Sequence, residues 1–228
     1  MAVGFIALWR NNQREYTASA RDEWGTTDAI QAAFALGRAR GNRTYGLYAC
    51  RWSSPWQYLT FWIAPGMAAV FDTIADLERA GDFKFADSLH IVGRHVPEAS
   101  TLTAGSWDVV PEPTAGSPPP LGVVLLERGG HASGDALSHG WYGERPPALP
   151  GVRLYGAFDC RFSTGWDRFV LATAEHPEAL SSWLEGRAQT SGPHGLETRA
   201  VTGRLTPYFR FGNRLQTSLT WLNEEEGA

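Results

Sequence analysis

The 228-residue chain holds only two cysteines, Cys50 and Cys160, and no Cys/His spacing in it suggests a zinc site. It also lacks a basic run. Lysine and arginine are scattered, the formal net charge is -4 and the pI is about 5.9. Phosphate binding needs clustered positive charge, so a nucleic-acid partner is not expected. No apolar stretch reaches the 18 or so residues that span a bilayer, so no membrane partner is expected. The start, Met1 to Arg10, has no basic n-region and an apolar run that breaks early. It reads as a strand, not as a signal peptide. A cytoplasmic location with reduced thiols is therefore expected. Phosphate-cradling, dinucleotide-binding, H-E-x-x-H and G-x-S-x-G motifs are all missing.

Large aromatics are plentiful instead, with ten tryptophans and eleven phenylalanines. Such side chains fill cores and also line pockets for flat apolar ligands. Hydrophobic residues make up 43% of the chain and charged residues 19%, enough apolar material for a packed core.

The chain repeats itself. Tyr45-Gly46-Leu47-Tyr48-Ala49-Cys50-Arg51-Trp52-Ser53 matches Tyr155-Gly156-Ala157-Phe158-Asp159-Cys160-Arg161-Phe162-Ser163, 110 residues later. The offset runs without a gap to Pro97 and Pro207, with eleven identities over 53 positions. Chance at average composition gives roughly three or four. An opening strand repeats at an offset of 118, Val3 to Arg10 against Leu121 to Arg128. This divides the chain into a first repeat (1–97), a proline-rich linker (98–120), a second repeat (121–207) and a tail (208–228).

Each repeat reads strand, helix, strand, strand, helix, strand. The apolar spacing of Ala29, Ile30, Ala33, Phe34 and Leu36 predicts a helix over 27–40, closed by Gly41-Asn42. Its counterpart around 134–142 is expected to be degraded. Second helices are predicted at 67–80 and 177–189, with Pro177 in a first helical position. Hairpins turn at 53–55 and 163–165. Fourth strands run over 88–96 and 198–206. The fold class is α+β, two tandem ferredoxin-like β-α-β-β-α-β repeats. One apolar sheet face in each repeat needs a cover, and the other repeat supplies it, as an intrachain dimeric α+β barrel.

That element order resembles the dimeric α+β-barrel superfamily in its fused form, over about residues 3–97 and 121–207. Members with this layout include antibiotic-biosynthesis monooxygenases, chlorite-dismutase-like haem proteins and muconolactone isomerases. The resemblance rests on layout, not on a motif, and implies a ligand pocket between sheet and helices.

Candidate residues are either shared by the repeats or present in one. Arg51 and Arg161 are shared, as are Arg94 and Arg204. A guanidinium in a strand can bind a ligand carboxylate or enolate, or form a structural salt bridge, for example with Asp87 or Glu197. Cys50 and Cys160 lie mid-strand without a local base and read as inert buried thiols. His90 and His95 occur in the first repeat only, opposite Ala200 and Leu205. Five residues apart on a strand, they point to opposite faces and make no joint metal site. His90 is the general acid/base candidate, or else a satisfied core histidine. His176 precedes a helix and is either a haem ligand or a loop residue at a helix start. Asp159 replaces Ala49; in a dry pocket it would be a base, and facing water only a surface charge.

The leading expectation is an enzyme for a flat, largely apolar small molecule, a cofactor-independent monooxygenase or isomerase. Tyr48, Trp52, Tyr58 and Trp62 would wall the pocket with Arg51, while His90, Arg94 and Asp159 carry the chemistry. One alternative is a haem protein of the chlorite-dismutase-like type, with His176 or His90 as the axial ligand. The other is a non-catalytic ligand carrier. Monomer and homodimer both satisfy the layout.

Overall fold

A computed structural model describes residues 1–11, 27–50, 55–81, 86–100, 119–129, 146, 149–191, 196–205, 209–211 and 214–216. The expected short helix around 134–142 lies outside these residues, as do most of the linker and the first hairpin turn. Eight strands form one antiparallel sheet closed into a barrel. They are β1 (Val3–Asn11), β2 (Arg43–Ala49), β3 (Tyr58–Ala64), β4 (Ala86–His95), β5 (Leu121–Arg128), β6 (Val152–Asp159), β7 (Arg168–Ala174) and β8 (Glu197–Leu205). Around the barrel they run β1-β3-β2-β8-β5-β7-β6-β4. Three helices are described: α1 (Thr27–Ala39), α2 (Met67–Arg79) and α3 (Pro177–Ser191). A single 3₁₀ turn, Pro97–Ala99, follows β4. A small hairpin, β9 (Phe209–Phe211) with β10 (Arg214–Gln216), closes the described chain, where the sequence reading had only a tail.

The alternation of side chains along each strand divides the apolar residues into three layers. Ile6, Leu8, Leu59, Phe61, Ile63 and Ile91 point into the barrel and meet Val124, Leu126, Phe158, Phe169 and Leu171 from the other half. Tyr45 and Tyr155 lie at matching places in the two repeats, and their rings meet there at 4.7 Å. The opposite faces pack under helices. Phe5, Ala7, Trp62 and Val92 lie beneath Ala33 of α1 and Val70 and Leu77 of α2. Val123, Leu125, Val170 and Ala172 lie beneath Leu180 and Trp183 of α3.

The pairing repeats along with the sequence. Within β2 the register slips between Thr44 and Leu47, and within β6 between Leu154 and Gly156. Gly46 and Gly156 hold these bulges at φ 126° and 153°, where a side chain is strained. The halves join at two short seams. At one, Tyr48 pairs with Leu205 and Ala49 with Arg204. At the other, Phe158 pairs with His95 and Asp159 with Arg94. The second set is the first with 110 added to the β2 residues and subtracted from the β8 residues. Ser163 extends its seam: its hydroxyl donates to the Val92 carbonyl at 2.6 Å and accepts from the Val92 N–H at 3.3 Å.

Asp87 and Glu197 do form ion pairs, but with Arg10 and Arg128 of the neighbouring strands, not with Arg94 and Arg204. The cross-strand register decides this, because Arg10 sits opposite Asp87 and Arg128 opposite Glu197.

Candidate functional site

Helix α1 ends in a glycine turn that shapes the described cleft. The Gly41 N–H donates to the Arg38 carbonyl at 2.8 Å, and the Asn42 N–H to the Gly37 carbonyl at 3.0 Å. Gly41 takes φ 88°, the left-handed conformation this turn requires. The turn swings Asn42 under α2. Its side-chain N–H groups donate to the Ala69 carbonyl at 3.1 Å and to the Thr73 hydroxyl at 2.9 Å. Thr73 passes its own proton back to the Ala69 carbonyl at 2.7 Å. Gly37 permits the close approach of the helices, since a Cβ there would stand 2.8 Å from Thr73 Cγ2. Nearby, buried Asp76 binds Arg40 and Arg79, both at 2.7 Å, and ties the end of α1 to α2. The hydrogen bond from Arg40 is the chief reason its carboxyl is held below the usual carboxylate range.

Between these helices and the sheet lies a narrow cleft of about 10 Å³, partly open to solvent and roomy enough for about one water molecule. Phe34, Gly37 and Arg38 of α1, Thr73 of α2, Asn42 and Thr44 beside the turn, and Trp62 of β3 line it. Trp62 packs on Phe5 at 4.8 Å and edge-on to Phe34 at 5.9 Å. Two polar atoms on this lining are buried without a hydrogen-bond partner: Trp62 Nε1 and Asn42 Oδ1.

Of the described pocket residues expected from sequence, only Trp62 lines this cleft. Tyr58 is on the same sheet face but stacks on Trp9 at 4.3 Å. Tyr48 is a correction. It points into the barrel, fully buried, and donates its hydroxyl to the Tyr45 carbonyl at 2.6 Å. Burial raises its pKa well above the ordinary tyrosine value. The reason is strand alternation, which puts Tyr48 on the inner face and Leu47 toward the helices. Arg51 and Trp52 lie outside the described residues.

His90 and Arg94 share a strand face but do not meet in one site. His90 packs against Phe5, with ring centroids 5.3 Å apart. Burial lowers its pKa, opposed in part by Glu78, so the imidazole is neutral near pH 7. Arg94 is exposed and lies over the Phe162 ring at 5.3 Å. Asp159 is not in a dry pocket. Arg161 grips it through Nε at 3.0 Å and Nη2 at 2.6 Å at the barrel seam, which suits a structural pair and not a base. His176 is half-exposed and caps α3, its Nδ1 accepting the Ala179 N–H at 3.1 Å. Both cysteines are buried, and burial pushes each thiol up to about 12. That agrees with inert core thiols. No group of His, Cys, Asp and Glu among the described residues could hold a metal.

Asn42, Thr44 and Thr73 escaped the sequence reading. A signal for them was present. Their partners 110 residues on are Val152, Leu154 and Trp183, all apolar.

No protein-family model and no curated protein sequence matches the chain. Solved structures do. A chlorite dismutase from Candidatus Nitrospira defluvii, in an arginine-to-alanine variant, aligns over 90% of this chain and 91% of its own, at 12% identity and TM-score 0.59. The imidazole complex of that enzyme aligns equally well. TA0507, provisionally assigned as a chlorite dismutase, aligns over 90% of this chain and 94% of its own, at 11% identity and TM-score 0.62. The chain has a chlorite-dismutase-like fold. The likeness extends through both halves, so the ferredoxin-like α+β layout expected from element order is the observed one. No helix among the described residues is long and apolar enough to cross a membrane.

Proposed function

We propose that this chlorite-dismutase-like chain binds haem and serves as an oxidoreductase. The observation that carries the reading is the fold likeness over nine-tenths of both chains. The finer reading of the fold is two tandem ferredoxin-like repeats, 1–97 and 121–207, joined by a linker over 98–120. The shared bulge glycines and the two seams related by the 110-residue offset support it.

The described residues do not themselves fit a haem. Bound haem supplies redox chemistry at its iron and needs an axial ligand over a large apolar slot. His176 spends Nδ1 on its helix cap, and His90 is wedged against Phe5. The cleft, at about 10 Å³, falls far below the roughly 300–1,000 Å³ of ordinary cofactor sites. The helix-covered layer of the second half is filled by Trp183, fully buried.

Titration of the purified chain with haemin, followed in the visible spectrum, tests the reading. A saturable Soret shift at one haem per chain is expected. It should disappear in one of the six single His→Ala variants and survive in the other five. No shift, or a shift that outlasts every one of the six substitutions, would remove the proposal.

A further inference from the structure

The two seams of the barrel differ in one side chain that can change its charge. At each, the last residue of a strand pairs with an aromatic residue of the other half. Leu205 of β8 pairs with Tyr48 of β2, and His95 of β4 pairs with Phe158 of β6. Leu205 and His95 stand 110 residues apart and hold matching places. The Leu205 N–H donates to the Pro120 carbonyl at 2.8 Å, and the His95 N–H to the Ala2 carbonyl at 3.0 Å. Pro120 and Ala2 are themselves 118 apart, the offset of the opening strands. One seam thus ends in an apolar residue that cannot ionise, and the other in an imidazole.

Strand alternation turns His95 to the inner face, with Ile91. Its ring lies 5.6 Å from Phe158, which is fully buried and stacks on Phe169 at 5.1 Å. The imidazole is the outer member of an aromatic column that runs into the barrel. Several charged groups surround it. Glu98, in the 3₁₀ turn, is the carboxylate that favours its protonation. Arg94 and Asp159, one register step away, alternate to the outer face, and Asp159 is held by Arg161. Arg153, nearer the start of β6, is hydrogen-bonded to Tyr155. The Met1 amino group, one residue before Ala2, brings positive charge to the same end of β1. Burial outweighs Glu98 and lowers the imidazole below the ordinary histidine value of 6.5. Such a group stabilises the fold fully above its unfolded value, and that contribution is lost as the pH falls through the lowered folded value.

We propose that the seam between β4 and β6 is an acid-sensitive latch, in which protonation of His95 loosens this edge of the barrel while the seam between β2 and β8 holds. A charged imidazole would leave the Phe158 ring for water, and the strand end would follow it. Loosening there uncovers Phe158 and the interior behind it. No bound group takes part, so this proposal and the haem reading can fail separately.

Amide hydrogen exchange of the full chain, followed by NMR at about pH 7.5 and about pH 5, tests the latch. The reporter is the Val96 N–H, which donates across the seam to the Ala157 carbonyl at 2.9 Å. After correction for intrinsic exchange, its protection at the lower pH should fall at least about threefold more than that of the Leu205 N–H. His95→Leu, which installs the residue of the other seam, should abolish the difference. His95→Gln, neutral at both pH values, should do the same and serves if the leucine variant does not fold. The His95 ring signals of the unaltered chain should titrate below 6.5. Equal loss of protection at the two amides, the same difference persisting in a folded variant, or a His95 titration above 6.5 would overturn the proposal.

Discussion

Trp9, Tyr58 and Leu77 in the first half have as counterparts Glu127, Arg168 and Arg187. The register confirms the match, since Trp9 lies opposite Tyr58 and Glu127 opposite Arg168. One half therefore carries an aromatic stack where the other buries an ion cluster. Glu127 and Arg168 are fully buried and Arg187 nearly so. Arg168 donates Nε to one oxygen of Glu127, and Arg187 donates Nε to the other at 2.6 Å. Hydrophobic replacement of such a cluster can be neutral, but removal of one partner leaves buried charge uncompensated. Glu127→Gln should therefore lower stability in urea denaturation by about 3–5 kcal/mol. Glu197→Gln breaks only the exposed pair with Arg128 and should cost less than about 1 kcal/mol. A loss below 1 kcal/mol for Glu127→Gln would mean that other groups neutralise the two guanidinium groups. At this scale the inert cysteines were legible in the sequence, because nothing local could lower their pKa. The ion cluster was not: its members are far apart in sequence and become neighbours only through pairing.

Helix and strand limits follow closely from periodicity and punctuation. The expected 27–40, 67–80 and 177–189 become Thr27–Ala39, Met67–Arg79 and Pro177–Ser191. Glycine marks places where regular elements must deviate, and its role differs from site to site. Gly46 is needed twice over. Its φ of 126° disfavours any side chain, and a Cβ would lie 2.8 Å from the Tyr48 ring and 2.9 Å from Leu205. Gly46→Ala should cost roughly 2–5 kcal/mol from strain and overpacking together. Gly186 lies within α3 with open space where a Cβ would go. Gly186→Ala should raise stability by about 0.5–1 kcal/mol through helix propensity. Thermal melts of the two variants should move in opposite directions, and a stabilising Gly46→Ala would contradict the bulge as described.

The barrel closes through two seams that each register two residue pairs, fewer than the five to nine between strands of one half. Backbone pairing alone would make these the weak lines of the molecule. Side-chain packing crosses them. The Tyr155 ring of the second half packs tilted against both Tyr45 and Phe61 of the first, at 4.7 and 5.7 Å. The interior is one apolar cluster drawn from both halves. Opening it would expose the inner faces of both halves at once, at about 25 cal/mol per Å² of apolar surface. The described barrel should therefore unfold in a single transition, with far-ultraviolet circular dichroism and tryptophan fluorescence superimposing in urea. Two separated transitions would show that the halves hold their folds independently.

The amino-acid sequence alone determined the repeat, the order of elements and which side chains of a strand share a face, because these depend on local propensity and on a spacing of two or 3.6 residues. From them it also carried the ferredoxin-like layout. Tertiary structure alone decided which charged groups meet, which side of the sheet Tyr48 faces, and that Asn42 and Trp62 share a cleft. The physical reason is reach. Hydrophobic patterning acts along a few residues of chain, while a cleft or an ion cluster is assembled by cross-strand register and helix docking, which join residues tens of positions apart.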